Sequence, residues 1–190
     1  FSKFLFYFYT SYKMAFLRNA FRNYPLVSNC VIYGTLYVTA EFSQQTVLKK
    51  VIKKPETPEP PYDTGVMKRY AIVGTCAMSP TLFYWYKWLD GKFPGTATKI
   101  VVRKCILDQF LMTPQLLAIF YISMSLLEGK DDVFAELKKK FVPTFIANSF
   151  FWMPIQALNF LYIPSRFRVV YIGCCTLVWV NILCWFKRKE

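Results

Sequence analysis

Charged residues in this chain are confined to short runs between long apolar stretches. Residues 26–42 carry only Glu41, residues 70–86 carry no charge, and residues 106–127 carry only Asp108. Residues 142–163 and 169–186 carry none. An amphipathic helix in water places polar and charged groups along its whole outer face, and these blocks do not. Each has about the 17 to 25 residues that a helix needs to cross a hydrocarbon core. The pattern predicts an all-α fold: a polytopic transmembrane helical bundle of four spans, with a fifth apolar helix at the C-terminus.

The segments between blocks are punctuated by helix breakers. KPETPEPPYDTG (54–65) is too rich in proline and acid for a helix, and is expected as the exposed loop after the first span. GKFPG closes the second block, and GKDD stops the third. The aspartates of GKDD can also cap an amphipathic helix, DDVFAELKKKF, with acids in its first turn and lysines in its last. That helix is expected to lie at the membrane interface before Pro143 opens the fourth block. Pro80, Pro114 and Pro154 fall inside blocks, where each removes a donor and leaves a carbonyl for another partner. Residues 1–23 stand apart as a basic and aromatic segment, and residues 24–190 are expected to form one integral membrane domain.

Composition adds a second layer. The 190 residues are 55% hydrophobic and 19% aromatic, yet the formal net charge is +13. Lysine and arginine gather at block ends, as in KKVIKK, KRY, KKKF and FKRKE, where their stems reach lipid headgroups. Trp85, Tyr86, Trp88, Trp152, Tyr162 and Trp179 fall in or near block ends, as an aromatic belt would require. The basic charge is divided over both ends of the spans. It therefore gives no orientation, and a lipid bilayer accounts for it better than nucleic acid does. At the start, MAFLRNAFRN is basic and amphipathic, and no acid precedes Glu41. This fits an organelle-directing segment better than a secretory signal, with Met14 a candidate initiator and residues 1–13 upstream of it.

Catalytic chemistry is sparsely represented. The chain has no histidine, the commonest general base and metal ligand. It has no glycine-rich phosphate loop, no GxSxG and no HExxH. Neither an enzyme, a cofactor nor a metal is expected. The six cysteines (30, 76, 105, 174, 175 and 184) lie in or beside apolar blocks without CxxC spacing, as small packing residues would. What remains is polar groups inside apolar helices: Glu41, Lys104 and Asp108 with Gln109, then Gln156 and Asn159 three residues apart. Lys104 and Asp108 are four apart and share a face. Such residues either glue a bundle together or line an aqueous lumen. Asp90, at the end of WYKWLD, opposes the helix dipole and needs a basic partner, with Lys87, Lys92 and Arg168 available.

Ordered motifs along the chain carry a family resemblance. Tyr24–Pro25 with Asn29, Gly34 and Leu36, the acid and glutamines from Glu41 to Gln45, WYKWLD, KCILDQ with Pro114, and WMPIQALNFLYIPSRFR recur in one order. The set resembles the peroxisomal and mitochondrial membrane proteins of the Mpv-seventeen type over nearly the whole chain. Its most specific part is Trp152, Pro154, Gln156, Asn159, Phe160, Pro164 and Arg168, and SMSLLEGKDDVFAELKKKF is similar to the Mpv-seventeen-like branch. Four positions depart from the pattern: Ala40–Glu41 replaces Gly-Asp, Ser79 replaces a glycine, and Phe83 replaces a frequent histidine. The resemblance implies four spans in the mitochondrial inner or the peroxisomal membrane. It further implies roles in reactive oxygen metabolism, mitochondrial homeostasis and DNA maintenance, with non-selective channel behaviour in some relatives. On this reading Trp85, Tyr86 and Trp88 anchor the second span at the headgroups, and Asp90 is a structural clamp. A small-solute channel, alone or as a homo-oligomer, and a non-conducting scaffold both remain open.

The resemblance includes Arg168 but not Arg166. Arg168→Ala is therefore expected to lower folded yield in detergent, and Arg166→Ala to lower it less. Equal and negligible losses would show that the motif is no lock.

Overall fold

The computed structural model describes residues 22–51 and 61–188, and the segment containing Met14 lies outside them. The described chain is all-α, with five helical rods. α1 spans Pro25–Val51. α2 joins Thr64–Ile72, a wide π-helical turn at Val73–Met78, and Ser79–Lys92. α3 is Thr98–Leu127, with a second π turn at Asp108–Met112. α4 spans Ala135–Tyr162, and a 3-10 turn at Ser165–Phe167 leads into α5, Arg168–Arg188.

Local chemistry sets the ends. The Asp63 side chain accepts the Val66 amide at 2.9 Å and caps α2. Gln45 on α1 binds the same corner twice, accepting from the Asp63 amide and donating to its carbonyl. Gly95 and Gly129 adopt positive φ in the turns after α2 and α3, a conformation that side chains disfavour. Lys130, past Gly129, lies 2.6 Å from Glu128 and 3.1 Å from Glu136, tying this turn to α4. The Glu128 hydrogen bond is the main cause of its raised pKa.

Both π turns immediately precede a proline-containing turn. Pro80 follows the first and Pro114 the second, and a proline ring clashes with the carbonyl four residues back. Widening the helix relieves this: the Ser79 amide bonds Gly74 O and the Thr113 amide bonds Asp108 O, each five residues back. Pro143 and Pro154 are instead absorbed inside α4 without a break. The amphipathic segment expected as a separate interfacial helix is accordingly the start of α4. Its aspartate still organises the entrance, with Asp132 accepting the Phe134 amide at 2.9 Å.

The rods turn their apolar sides outward. On α4, Val142, Ile146, Phe150 and Met153 are exposed, Phe150 by 83%. The same helix buries Thr144, Asn148, Gln156 and Asn159, with Asn159 at 0%. A water-soluble helix has the opposite arrangement. By length and composition α3 is the one helix among the described residues apolar enough to cross a membrane, where the sequence predicts four. α4 falls short because its inward polar side dilutes its hydropathy; α1 contains Glu41 and ends among lysines.

Close backbone packing holds the rods together. α5 runs beside α1 in the same direction, with Tyr33 near Thr176 and Ala40 near Leu177. A Cβ added at Gly173 would lie 2.6 Å from Leu36, and one at Gly74 would lie 2.8 Å from the Tyr37 ring. Gly34 faces Thr75 of the first π turn more tightly still. Small residues at such crossings let helices approach where no hydrophobic drive between them exists. Gly74→Val is expected to lower thermal stability in detergent by about 1–3 kcal/mol, because the buried Tyr37 ring cannot yield. Gly91→Ala, which meets open space, is the control and should leave the unfolding midpoint unchanged.

Candidate functional site

Two polar clusters stack inside the bundle. The upper one centres on Asp90, near the C-terminal end of α2. Its carboxylate accepts from Lys104 Nζ at 2.8 Å, from the Arg168 guanidinium and from the Ser165 hydroxyl. Arg168 also donates through Nε to the Ile163 carbonyl at 3.1 Å. The Phe160 ring lies beside both cations, 5.6 Å from Lys104 Nζ and 5.1 Å from the Arg168 guanidinium. Lys104 and Arg168 are 1% and 4% exposed, so the shared carboxylate is what permits their burial. Pro164 ends the extended link after α4 and thereby sets Ser165 and Arg168 against Asp90.

This arrangement corrects the expected pairing of Lys104 with Asp108. Helical side chains lean toward the N-terminus of their own helix. Lys104 therefore reaches up to Asp90 and away from Asp108, a full turn below.

Asp108 is held by other groups in the lower cluster. Its Oδ1 accepts from Trp85 Nε1 at 2.8 Å, and its Oδ2 accepts from Gln156 Nε2 at 2.7 Å. Gln156 Nε2 also donates to the Tyr86 hydroxyl at 2.8 Å, and Gln156 Oε1 accepts from Asn159 at 3.0 Å. One chain of bonds thus joins α2, α3 and α4. Trp85 and Tyr86 face inward here, with Tyr86 buried, which corrects their expected place at the headgroups. Leu82, Tyr86 and Leu89 share the inner side of α2, leaving Tyr84 and Trp88 on the outer one.

Beside Asp108 lies a cavity of about 80 Å³, room for a few waters. Asp108, Gln156, Tyr86, Thr113, Thr144 and Asn148 supply polar lining, and Tyr33, Tyr37, Tyr121 and Thr176 bring further hydroxyls. Tyr121 and Thr144 bond each other at 2.8 Å across α3 and α4. Asn148 Oδ1 is buried here without a hydrogen-bond partner. Trp152, whose ring meets Trp179 edge-on at 6.3 Å, closes one wall.

Several expected residues lie outside the cavity. Gln109 donates to Ser149 at 2.6 Å and links α3 to α4. Glu41 is buried on α1, where Gln45 donates to it at 3.0 Å, and it does not line the cavity. Pro154 lies exposed on α4. The sequence expectation omits Thr144 and Asn148, although they share helical spacing with Gln156 and Asn159. That spacing is the signal by which they could be found.

Comparison with known proteins places this architecture. The profile of the Mpv17 / PMP22 family matches residues 125–184, which include the second half of the polar network. The chain is 34% identical to Mpv17-like protein of Xenopus laevis over 169 residues, covering 89% of this chain and 80% of that protein. It is 30% identical to peroxisomal membrane protein 2 of Bos taurus over 164 residues, covering 85% and 83%. Identity to mitochondrial inner membrane protein Mpv17 of Rattus norvegicus is 29% over 145 residues, covering 75% and 78%. No solved structure matches. With a relative this similar along most of both lengths, the chain belongs to the Mpv17 / PMP22 family.

Proposed function

We propose that the chain is a multi-pass protein of the mitochondrial inner membrane, with the peroxisomal membrane as the alternative site. Four helices span the bilayer and α5 packs alongside α1. The cavity beside Asp108 forms the middle of a path for small solutes, and passage through it, or its modulation, supports mitochondrial homeostasis and reactive oxygen metabolism. The observation that carries this reading is the inversion of polarity across the rods. Apolar side chains such as Phe150 face outward, while Asp108, Asn148 and Gln156 face a common interior. The names of the relatives, which include mitochondrial inner membrane and peroxisomal membrane proteins, point to the same two membranes.

A second reading is favoured by the hydrogen bonding itself. Both oxygens of Asp108 are occupied by protein donors, as in a non-conducting scaffold whose polar groups only join helices.

Location is tested by a fusion tagged at the C-terminus. It should co-purify with mitochondria and resist carbonate extraction. Recovery in the carbonate supernatant would end the membrane reading, and recovery with peroxisomes alone would move the protein to the alternative membrane.

Conduction is tested in planar bilayers with purified protein. Wild type is expected to conduct, and Asp108→Asn to remain helical while shifting selectivity toward anions, because a fixed negative charge leaves the lumen. Absence of conductance above empty bilayers in both folded proteins would favour the scaffold.

A further inference from the structure

The two ends of the bundle differ in their treatment of charge. At the end formed by the α4 entrance and the turn after α3, acids stand among the cations: Lys130 pairs with Glu128 and Glu136, and Lys140 with Glu136, while the exposed Lys68 and Lys138 form no ion pair with a described residue. At the other end, Lys87, Lys92, Lys99, Arg103 and Arg166 are all exposed, and none forms an ion pair with a described residue. Among the described residues the one acid at this end is Asp90, and its charge is already taken by Lys104 and Arg168. The collar therefore keeps its full positive charge. The Asp90 cluster also fixes its geometry, since that contact joins the end of α2, the start of α3 and the Ser165 turn that carries Arg166.

The surface beneath the collar is apolar and continuous with it. On α3, Lys99, Arg103, Ile106 and Phe110 follow one another at helical spacing, and all four are exposed. Val102 is half exposed beside them, and Tyr84 and Trp88 face outward on the end of α2. A row of cations leading into an apolar stripe matches one kind of partner: a molecule with an anionic head and long hydrocarbon tails.

We propose that the collar of Lys87, Lys92, Lys99, Arg103 and Arg166 binds anionic phospholipid headgroups, with the acyl chains lying along the Ile106–Phe110 stripe. The proposal rests on the membrane reading of the chain. It adds that the leaflet at this end is the one enriched in acidic lipid around the protein. It gives the cations of this end a task that the Asp90 and Asp108 clusters leave undone.

The test uses the full chain reconstituted in phosphatidylcholine bilayers containing a minor fraction of phosphatidylglycerol. Spin-labelled versions of the two lipids report which is motionally restricted by the protein. Wild type is expected to prefer phosphatidylglycerol at least about threefold, and raised salt should weaken the preference. Lys99→Gln/Arg103→Gln/Arg166→Gln should abolish it. The matched triple Lys68→Gln/Lys138→Gln/Lys139→Gln, at the other end, should retain it. No preference in wild type, or equal loss in both triples, would overturn the assignment. Failure of wild type to enter neutral phosphatidylcholine bilayers would instead overturn the membrane reading, and this inference with it.

Discussion

One carboxylate shared between two buried cations organises the end of the bundle. Asp90 receives Lys104 from α3 and Arg168 from the start of α5, and Ser165 completes its coordination. Burying a lysine and an arginine beside one phenylalanine ring is unfavourable unless a counter-charge lies between them. Asp90 supplies it, so its position constrains three rods and the turn after α4 together. This also explains why a carboxylate stands near a helix C-terminus, where the dipole disfavours it. The local penalty is offset by two charge-assisted contacts to other helices.

Beneath that contact the bundle is stratified. Asp108, Gln156, Tyr86 and Asn159 form a layer of hydrogen bonds, and the cavity opens beside it toward Asn148 and Thr144. The two buried cations are therefore paired with Asp90 near the rim, and the one carboxyl group lining the cavity is Asp108. The rigid layer and the open layer are made by neighbouring turns of α4: Gln156 and Asn159 serve the first, Asn148 and Thr144 the second.

Much of this is legible in the sequence, and the limits are physical. Charge-free blocks predict helices, and the proline-rich and glycine-containing breaks place the turns. The need of Asp90 for a basic partner follows from helix electrostatics, with Arg168 among the candidates. Spacing along α3 assigns Lys104 to the wrong acid, because it says nothing about a neighbouring helix end within reach of a long side chain. Tyr86 is misplaced at the headgroups because an aromatic near a block end has the same appearance whether its hydroxyl meets water or a glutamine. The separate interfacial helix fails for a related reason. Proline is a strong breaker in a water-exposed helix, but Pro143 is accommodated in a long rod supported by its neighbours.

The two π turns also bear on chain length. A π turn holds one residue more than an α turn of similar rise. Deleting one residue from Val73–Met78 would let that stretch revert to ordinary helix and leave the remainder of α2 aimed as it is, with Leu82 and Tyr86 inward and Asp90 at its cations, while restoring the clash of the Pro80 ring with the carbonyl four residues back. A deletion elsewhere in the same rod, where the helix holds no surplus residue, would rotate everything beyond it by about 100°. The same holds for the π turn at Asp108–Met112 and the half of α3 beyond it. The two π turns are thus the points in these rods where the chain can lose a residue without turning the side chains beyond it away from the interior.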